Sequence, residues 1–360
     1  MSKEHILSAS RIKTYESCTW KYWCGYVLKL PKTKNDGNVR GSACHLILEL
    51  LLNKRHKKYI KKIIKASTIK AVPSVERLVR KSLRKEGEEF FTEENIEMCD
   101  DMIVVGLTID DFLGGKGSTI DKPEEEFFLD TVEDPDKPSY KMTGYIDKPV
   151  QFKRDKRLKI IDYKTNAKPF APDEIDYNPQ AFAYLLAAKK VWPKLTDTSI
   201  EFHFLRYPEN PIIEIKYTDD QLEGFEYYLE HLYNLFNNYT EKDATSNFAR
   251  NRGFPEDSDK EGFVKRLNCG FADYVGHKKK DGSTRWFCEY KFAYDYYAVV
   301  DEEGNTLYSS KNKKDLQPKS GEKIVKKHYA GCPAWPELNK ATDQNPEEDK
   351  QDNNPEDFPF

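Results

Sequence analysis

The sequence predicts an α/β protein with a central mixed sheet flanked by helices. Segments with apolar residues at helical spacing fill roughly the first 115 residues, and strand-like segments with alternating polarity follow from residue 124. After these strands the chain reads helix, strand, strand, helix. Because helices and strands alternate along the chain, they belong to one layered core rather than to separate helical and sheet domains.

The composition excludes several classes of protein. Charged residues make up 33% of the 360 residues, mean hydropathy is -0.80, and the net charge is -3. No apolar run approaches the length of a membrane span, and the first ten residues lack the apolar stretch of a signal peptide. Seven scattered cysteines, an odd number, do not resemble a disulfide framework. We therefore expect a cytoplasmic protein with reduced thiols.

The first third of the chain is predicted to be helical. Ser10 can cap the opening helix, and a turn follows over residues 35–38. An apolar helix then turns strongly basic after Leu52 and is interrupted by Pro73. The predicted helices are residues 8–30, a long one from about residue 40, about 74–91, and 95–113.

The core is predicted from alternating strands and two helices. The strand-like segments are residues 124–132, 139–152, 157–165, 199–207 and 212–218. The third pairs with the second across a polar turn. One helix begins with Asn178 as cap and Pro179 as first residue, and a second, over residues 219–239, is capped by Asp219 or Asp220.

The C-terminal part changes character. Aromatic, strand-like segments at 285–300 and 306–310 flank a hairpin turn over 301–305. The last residues are rich in Asn, Pro and acids, a composition typical of disorder. The expected domains are one over 1–272, with a helical region 1–115 and a catalytic core 120–240, a small β-rich appendage over 273–338, and a disordered acidic tail over 339–360.

Two aspartates in the strands point to metal chemistry. Asp162 and Lys164 are two apart, so they share a face of their strand, and the strand pairing brings Asp147 beside them. Neighbouring carboxylates repel unless a cation lies between them, and such oxygen ligands suit Mg²⁺ or Mn²⁺. A metal so held can assist phosphodiester hydrolysis, with Lys164 orienting or deprotonating a water. The alternative is an ordinary ion pair at a strand end.

Four motifs in order resemble those of one nuclease family. The sequence resembles the RecB-like branch of the PD-(D/E)XK nuclease superfamily over roughly residues 8–272, and the segment 8–18 also resembles that family's N-terminal helix. The matching motifs are G-x-x-x-H at Gly41–His45, G-x-x-D at Gly144–Asp147, D-x-K at Asp162–Lys164, and Q-x-x-x-Y at Gln180 and Tyr184.

The resemblance implies a restriction-endonuclease-like core and a set of roles. Carried over by position, the metal ligands are His45, Asp147, Asp162 and the Tyr163 carbonyl, and the catalytic residues are Asp147, Asp162 and Lys164. It further implies DNA contacts from Gln180 and Tyr184, and a second-layer role for Glu126. Taken singly, His45 could be a core histidine, Gln180 a helix-start residue and Tyr184 part of the core.

The cysteines depart from the iron–sulfur pattern of many RecB-like nucleases. Cys18 and Cys269 stand in the right regions, but no C-x₂-C pair accompanies them, because Cys288 and Cys332 are nineteen and sixty-three residues beyond Cys269. We therefore do not expect an iron–sulfur cluster. A zinc site built from Cys269, His277, Cys288 or Cys332 is no better supported.

A basic block and an acidic tail suggest partners. Residues 53–85 hold thirteen Lys or Arg against the single acid Glu76, and we expect Lys57, Lys58, Lys61 and Lys62 to contact DNA phosphates. The alternative is a solvated helical face. The ending NNPEDFPF resembles the acidic tail of bacterial single-strand-binding proteins, so Phe358 and Phe360 could bind a replication or repair protein. It could equally be a solubilising tail or compete with DNA for the basic helix.

These observations predict a Mg²⁺- or Mn²⁺-dependent DNA nuclease, an exonuclease on single strands or duplex ends, in recombination, repair or replication. One alternative is a catalytically weak DNA-binding module that recruits replication or repair proteins through its tail. Another is a nuclease that acts only inside a helicase or CRISPR-adaptation complex.

Overall fold

The protein is described by a computed structural model over residues 4–120, 122–166, 168–246, 269–270, 272–280, 282 and 284–339. The helices are α1 (Ala9–Ser17), α2 (Thr19–Tyr22), α3 (Asp36–Leu52), α4 (Lys57–Ala66), α5 (Pro73–Glu86), α6 (Glu93–Thr108), α7 (Pro172–Asp176), α8 (Pro179–Val191), α9 (Asp219–Asn237), α10 (Glu241–Ser246) and α11 (Pro336–Asn339). The strands are β1 (Glu125–Asp130), β2 (Lys141–Ile146), β3 (Lys148–Phe152), β4 (Arg157–Lys164), β5 (Asp197–Phe204), β6 (Ile212–Ile215), β7 (Tyr294–Val300), β8 (Thr306–Ser310) and β9 (Lys323–Tyr329).

The chain divides into two compact units. The first contains residues 1–13 and 34–239, and the second contains residues 14–33 and 240–360. The segment 14–33 is thus grouped with the C-terminal part of the chain. The expected boundary at residue 272 stays a prediction.

The first unit is built on a four-stranded mixed sheet with the order β3-β4-β5-β6. β3 pairs antiparallel with β4, as predicted, while β4 pairs parallel with β5. A parallel pair needs a crossover, which α7 and α8 supply. β1 and β2 form a separate antiparallel pair. This mixed sheet with helices confirms the α/β class.

The central strand β4 is buried on both faces. Its residues from Ile160 to Tyr163 are all buried, as expected of a strand in the middle of a covered sheet. Tyr163 and Ile161 face an apolar core formed largely by α3, α4, α5 and α6. Side chains alternate along a strand, so Asp162 points to the opposite face, where it meets α8.

Asp147 lies at the junction between two strands. β2 ends at Ile146 and β3 begins at Lys148, so the chain passes from one sheet into the next at this residue. Lys148 pairs with Ile161 across the β3–β4 ladder. The register therefore brings Asp147 next to Asp162, which follows Ile161.

Three local predictions about the helices were wrong. Thr218, not Asp219 or Asp220, caps α9: its hydroxyl accepts the amide of Gln221 at 3.2 Å, and the Gln221 side chain accepts the Thr218 amide. The long basic helix is two helices, because Asn53 adopts an extended backbone after Leu52. The expected helix over 8–30 is broken after Ser17, and Ser8 rather than Ser10 accepts the amide of Arg11.

The second unit contains a three-stranded antiparallel sheet with the order β8-β7-β9. The hairpin turn predicted at 301–305 joins β7 to β8, where the amide of Gly304 donates to the carbonyl of Asp301 at 3.1 Å. β9 was not predicted. Within this unit the segment 14–33 contacts the end of β9, where Trp20 Nε1 donates to the Tyr329 hydroxyl at 2.8 Å. Among the described residues, we find no helix with the length and apolar character to cross a membrane.

Candidate active site

One cleft in the first unit, of about 920 Å³, brings the sequence motifs together. The motifs are far apart along the chain and come from α3, from the β2–β3 junction, from the end of β4 and from the start of α8. The predicted site residues that line the cleft are His45, Asp147, Asp162, Tyr163, Lys164, Gln180 and Tyr184.

Two glycines of the motifs allow close packing around this cleft. A Cβ at Gly41 would lie 2.9 Å from the Thr165 hydroxyl, so its absence lets α3 approach the end of β4 and presents His45 there. A Cβ at Gly144 would lie 2.6 Å from the ring of Phe127, its partner in the β1–β2 ladder. That ring meets Tyr184 edge to face, with centroids 6.1 Å apart.

Asp162, Lys164, Gln180 and Tyr184 form one polar network. Lys164 Nζ lies 2.6 Å from Asp162 Oδ2 and donates to Gln180 Oε1 at 2.7 Å. The Gln180 amide nitrogen donates to Asp162 Oδ1 at 2.6 Å and also lies 2.8 Å from the Tyr184 hydroxyl. Gln180 thereby orients both the lysine and the carboxylate. This fixed geometry is what a preorganised catalytic group requires.

Asp147 is held by His45 and by the backbone of β4. Its Oδ2 lies 3.2 Å from His45 Nδ1 and accepts the amide of Tyr163 at 3.1 Å. The Tyr163 side chain points to the other face of the sheet, where the buried Lys148 Nζ donates to its hydroxyl at 3.1 Å. The backbone of Tyr163 is thus fixed next to both aspartates.

The charges in the cleft shift several pKa values. Burial raises the pKa of Asp162, and the charge of Asp147 raises it further against the opposing effect of Lys164. Burial alone would lower the pKa of His45, but its hydrogen bond to Asp147 and the charges of both aspartates raise it to about 9. Burial also raises the pKa of Tyr184 well above its usual range. Burial and the neighbouring Asp147 therefore disfavour the ionised form of Asp162, and a cation bound beside the two carboxylates would oppose both effects.

The donor set fits a divalent metal ion. Among the described residues, Oδ2 of Asp162 is buried and accepts no hydrogen bond, while its charge is compensated by Lys164 Nζ at 2.6 Å. A buried carboxylate oxygen without a hydrogen bond is costly, and a metal ion could coordinate it. The residues that could hold the ion are Asp147, Asp162, His45 and the Tyr163 carbonyl.

The ligand atoms are engaged with one another. In the described residues, no group of three or more His, Cys, Asp or Glu side chains is arranged to hold a metal ion. His45 Nδ1 lies 3.2 Å from Asp147 Oδ2 and Lys164 Nζ lies 2.6 Å from Asp162 Oδ2, so a metal ion at either of these oxygens would displace a neighbouring side chain. Coordination of a metal ion by these residues would therefore require a rearrangement of side chains and, if His45 is a ligand, the loss of the proton from its coordinating nitrogen.

Sequence reasoning missed several polar residues of the cleft. Lys13, Arg40 and Arg206 line it and add positive charge around the carboxylates. Arg206 follows the end of β5, the strand parallel to β4, and residues after the carboxyl ends of parallel strands commonly form binding sites. The position of Arg206 after this strand could therefore have identified it as a cleft residue from the sequence. No such signal marks Lys13 or Arg40, because each is one basic residue among many.

Other predicted residues lie elsewhere. Glu126 is exposed on β1 and accepts a hydrogen bond at 3.0 Å from Tyr145, which itself lines the cleft, so its second-layer role stays a prediction. Lys57, Lys58, Lys61 and Lys62 of α4 are exposed and are not among the cleft-lining residues. Phe358 and Phe360 lie outside the described residues.

Comparison with known proteins agrees with this geometry. A search of curated proteins gave no match. The family model of the PD-(D/E)XK nuclease superfamily matches residues 6–258, which is more than half of the chain and includes every motif residue of the cleft. Members of this superfamily are nucleases that use divalent metals. The chain belongs to the PD-(D/E)XK nuclease superfamily.

Proposed function

We propose that the protein is a Mg²⁺- or Mn²⁺-dependent deoxyribonuclease of the RecB-like branch. It would be a cytoplasmic exonuclease that acts in DNA recombination, repair or replication. The observation that carries the proposal is the buried Asp162, one oxygen of which accepts no hydrogen bond, beside Lys164 and Gln180 in a cleft that also holds Asp147. Buried charge without full compensation costs stability, so its retention points to a functional requirement.

The side chains divide the work of phosphodiester hydrolysis. A divalent ion held by the aspartates would polarise the phosphodiester and activate a water. Lys164 Nζ lies 2.6 Å from Asp162 Oδ2, so its positive charge can stabilise the negative charge that develops on the phosphate. Gln180 fixes the position of that ammonium through its carbonyl oxygen. Lys13, Arg40 and Arg206 can bind the neighbouring phosphates.

The proposal is tested with end-labelled single-stranded DNA, end-labelled duplex, closed circular DNA and an RNA of the same sequence. Each is incubated with the protein in Mg²⁺, Mn²⁺ or EDTA. We expect metal-dependent loss of linear DNA, with circles and RNA intact. Cleavage of circles would change the assignment to an endonuclease. DNA binding without cleavage in either metal would instead favour a recruitment module.

Replacing Gln180 with Leu should lower kcat by about 10- to 100-fold, as for residues that orient a ligand or catalytic group. The substitution removes the amide that holds both Lys164 and Asp162. KM should change little, since the amide lies among catalytic groups. Steady-state kinetics on labelled DNA measures both constants. A rise in KM at constant kcat would instead identify Gln180 as a DNA contact only.

Replacing Lys57, Lys58, Lys61 and Lys62 together by Ala should weaken DNA binding and flatten its salt dependence. Each lost phosphate contact lowers the slope of log K against log[salt] by about 0.9. Fluorescence anisotropy across a salt series measures that slope. A variant with Ala at Lys313, Lys314, Lys319 and Lys323, which are also exposed, removes the same charge elsewhere. Equal slopes in the two variants would contradict a specific role for α4.

A further inference from the structure

One short hairpin of the second unit carries the most exposed apolar side chains of the described chain. Tyr274, Val275 and Trp286 are 61%, 67% and 63% exposed, more than any other large hydrophobic side chain within the described residues. They belong to the aromatic hairpin, which we define as residues 273–280 and 284–287. Single exposed apolar residues are ordinary on a protein surface, but several on one small element mark an interaction site.

Backbone hydrogen bonds hold the aromatic hairpin in shape. The amide of Arg285 donates to the carbonyl of His277 at 2.8 Å, which pairs the two arms of the hairpin. The amide of His277 donates to the carbonyl of Tyr274 at 3.2 Å, which closes a turn before the first arm. Trp286 directly follows Arg285. Tyr274 and Trp286 therefore lie at the same end of the hairpin.

The two aromatic residues are presented by fixed neighbours. Tyr274 stacks on His277, with ring centroids 4.9 Å apart and planes 5° apart, and Nδ1 of His277 accepts the amide of Asp273 at 3.2 Å. Since Tyr274 is still 61% exposed, the opposite face of its ring is open to solvent. Gly270 lies against the backbone of Trp286, because a Cβ at Gly270 would be 2.2 Å from the Trp286 carbonyl oxygen. A ligand that stacks on rings presented in this way loses little affinity to their ordering.

The aromatic hairpin is also basic. Residues 273–287 contain four Lys or Arg and two Asp, a net charge of +2 (4 minus 2). Lys278, Lys279 and Lys280 are exposed, and the side chains of the last two form no ion pair within the described residues. Open aromatic faces beside exposed ammonium groups suit a ligand that has flat apolar surfaces and negative charge.

Single-stranded nucleic acid combines these two properties. Its bases have flat faces that stack on aromatic side chains, and its phosphates attract Lys and Arg. The bases of a duplex already stack on one another, and it costs free energy to take them out of the stack. Anionic membranes also attract basic and aromatic residues, but binding to them grows with the apolar area that is buried, and only Val275 of the three exposed residues is aliphatic.

We propose that the aromatic hairpin binds single-stranded DNA by stacking bases on Tyr274 and Trp286, while its lysines contact the phosphates. The choice of nucleic acid as the ligand rests on the proposed nuclease function. The cleft residues act on the phosphodiester backbone, which every DNA strand has, whereas the hairpin holds bases that a duplex does not expose. The hairpin therefore gives the protein a preference for single strands over blunt duplex.

The test measures binding of the full-length protein to labelled oligothymidine in EDTA, where a metal-dependent nuclease does not cleave. Trp286→Ala should weaken binding about tenfold, by fluorescence anisotropy, because one stacking contact is lost. Trp286→Phe should retain most of the affinity, since a ring remains, whereas Trp286→Leu should behave like Trp286→Ala. Tyr227→Ala, which removes an exposed tyrosine from α9, is the matched control and should bind as wild type.

An abasic strand of the same length and charge separates stacking from attraction between charges. Wild-type protein should bind this strand at least about tenfold more weakly than oligothymidine. Trp286→Ala should not weaken binding of the abasic strand further, because no base is present to stack. The comparison of the two strands uses wild-type protein, so it keeps the test decisive if a variant folds poorly.

Several outcomes would overturn the proposal. They are equal wild-type affinity for oligothymidine and the abasic strand, and unchanged oligothymidine binding by both Trp286→Ala and Tyr274→Ala. Binding to anionic phospholipid vesicles that Trp286→Ala abolishes, with unchanged binding to oligothymidine, would assign the hairpin to a membrane surface instead.

The binding result is independent of cleavage. Metal-dependent cleavage together with equal affinity for the two strands would leave the nuclease and reject the hairpin. Hairpin-dependent binding without cleavage in Mg²⁺ or Mn²⁺ would support the hairpin and reject the nuclease.

Discussion

Asp162→Asn is expected to abolish DNA cleavage while leaving the metal-free protein at least as stable as the wild type. The lost carboxylate would remove a metal ligand, and a metal ion contributes several kcal/mol to transition-state stabilisation, so we expect a loss of about 10³-fold or more in kcat/KM. The stability should not fall, because Asn removes the desolvation cost of a carboxylate whose side chain is 2% exposed, whereas the Lys164 side chain, 18% exposed, can be solvated when it loses its partner.

Three measurements test this expectation. Cleavage of labelled DNA gives the rate, thermal unfolding in EDTA gives the stability, and thermal unfolding with added Mn²⁺ gives metal binding. We expect Mn²⁺ to raise the Tm of the wild type but not that of Asp162→Asn. Asp155→Asn, in the exposed β3–β4 turn, is the matched control and should behave as wild type. A large fall in Tm in EDTA would instead show that Asp162 is a structural ion-pair partner.

Lys164→Met should lower kcat by about 10²- to 10³-fold, the usual loss when one electrostatic contact to the transition state is removed. The methionine side chain has a similar length, but it removes the ammonium that lies 2.6 Å from Asp162 Oδ2. Metal binding should persist, because both aspartates remain. Metal-free stability should fall, since Asp162 loses its counter-ion.

The measurements for Lys164→Met are single-turnover cleavage and the Mn²⁺-induced rise in Tm. We expect slow cleavage with the Tm rise preserved, a combination that separates this residue from Asp162. Lys153→Met, which removes an exposed lysine from the same hairpin, should cleave at the wild-type rate. If Lys164→Met cleaved DNA at the wild-type rate, Lys164 would not be a catalytic residue.

The fold class and two of the contacts in the cleft could be predicted because local rules determine them, whereas the set of motifs was identified through the family resemblance. Alternation along β4 placed Asp162 and Lys164 on one face, and the structure brings them within 2.6 Å. Helical spacing placed Gln180 and Tyr184 on one face of α8, where they lie 2.8 Å apart. In each case the partners are two or four residues apart, so no tertiary information was needed.

Other features depend on contacts that the sequence does not encode locally. The cap of α9 was assigned to an aspartate, but Thr218 and Gln221 form a reciprocal pair that competes successfully for the same position. Arg40 appeared as one basic residue in a helix start, and only the tertiary fold places it in the cleft.

The division of the second unit into residues 14–33 and 240–360 affects the order in which the protein can mature during synthesis. Cys18 leaves the ribosome early, whereas Cys332 follows 314 residues later (332 minus 18). At ordinary translation speeds of about 5–20 residues per second, that interval lasts roughly 15–60 s. The catalytic motifs, which end at Tyr184, are all synthesised well within it.

The nascent chain therefore passes through a period in which the first unit has its complete sequence and residues 14–33 still lack their partners. During that time the aromatic side chains of this segment, Trp20 and Tyr22 among them, cannot reach their buried positions in the second unit. We expect pulse-labelled chains stopped after residue 240 to expose a protease-sensitive site within 14–33. Chains released at full length should lose that sensitivity.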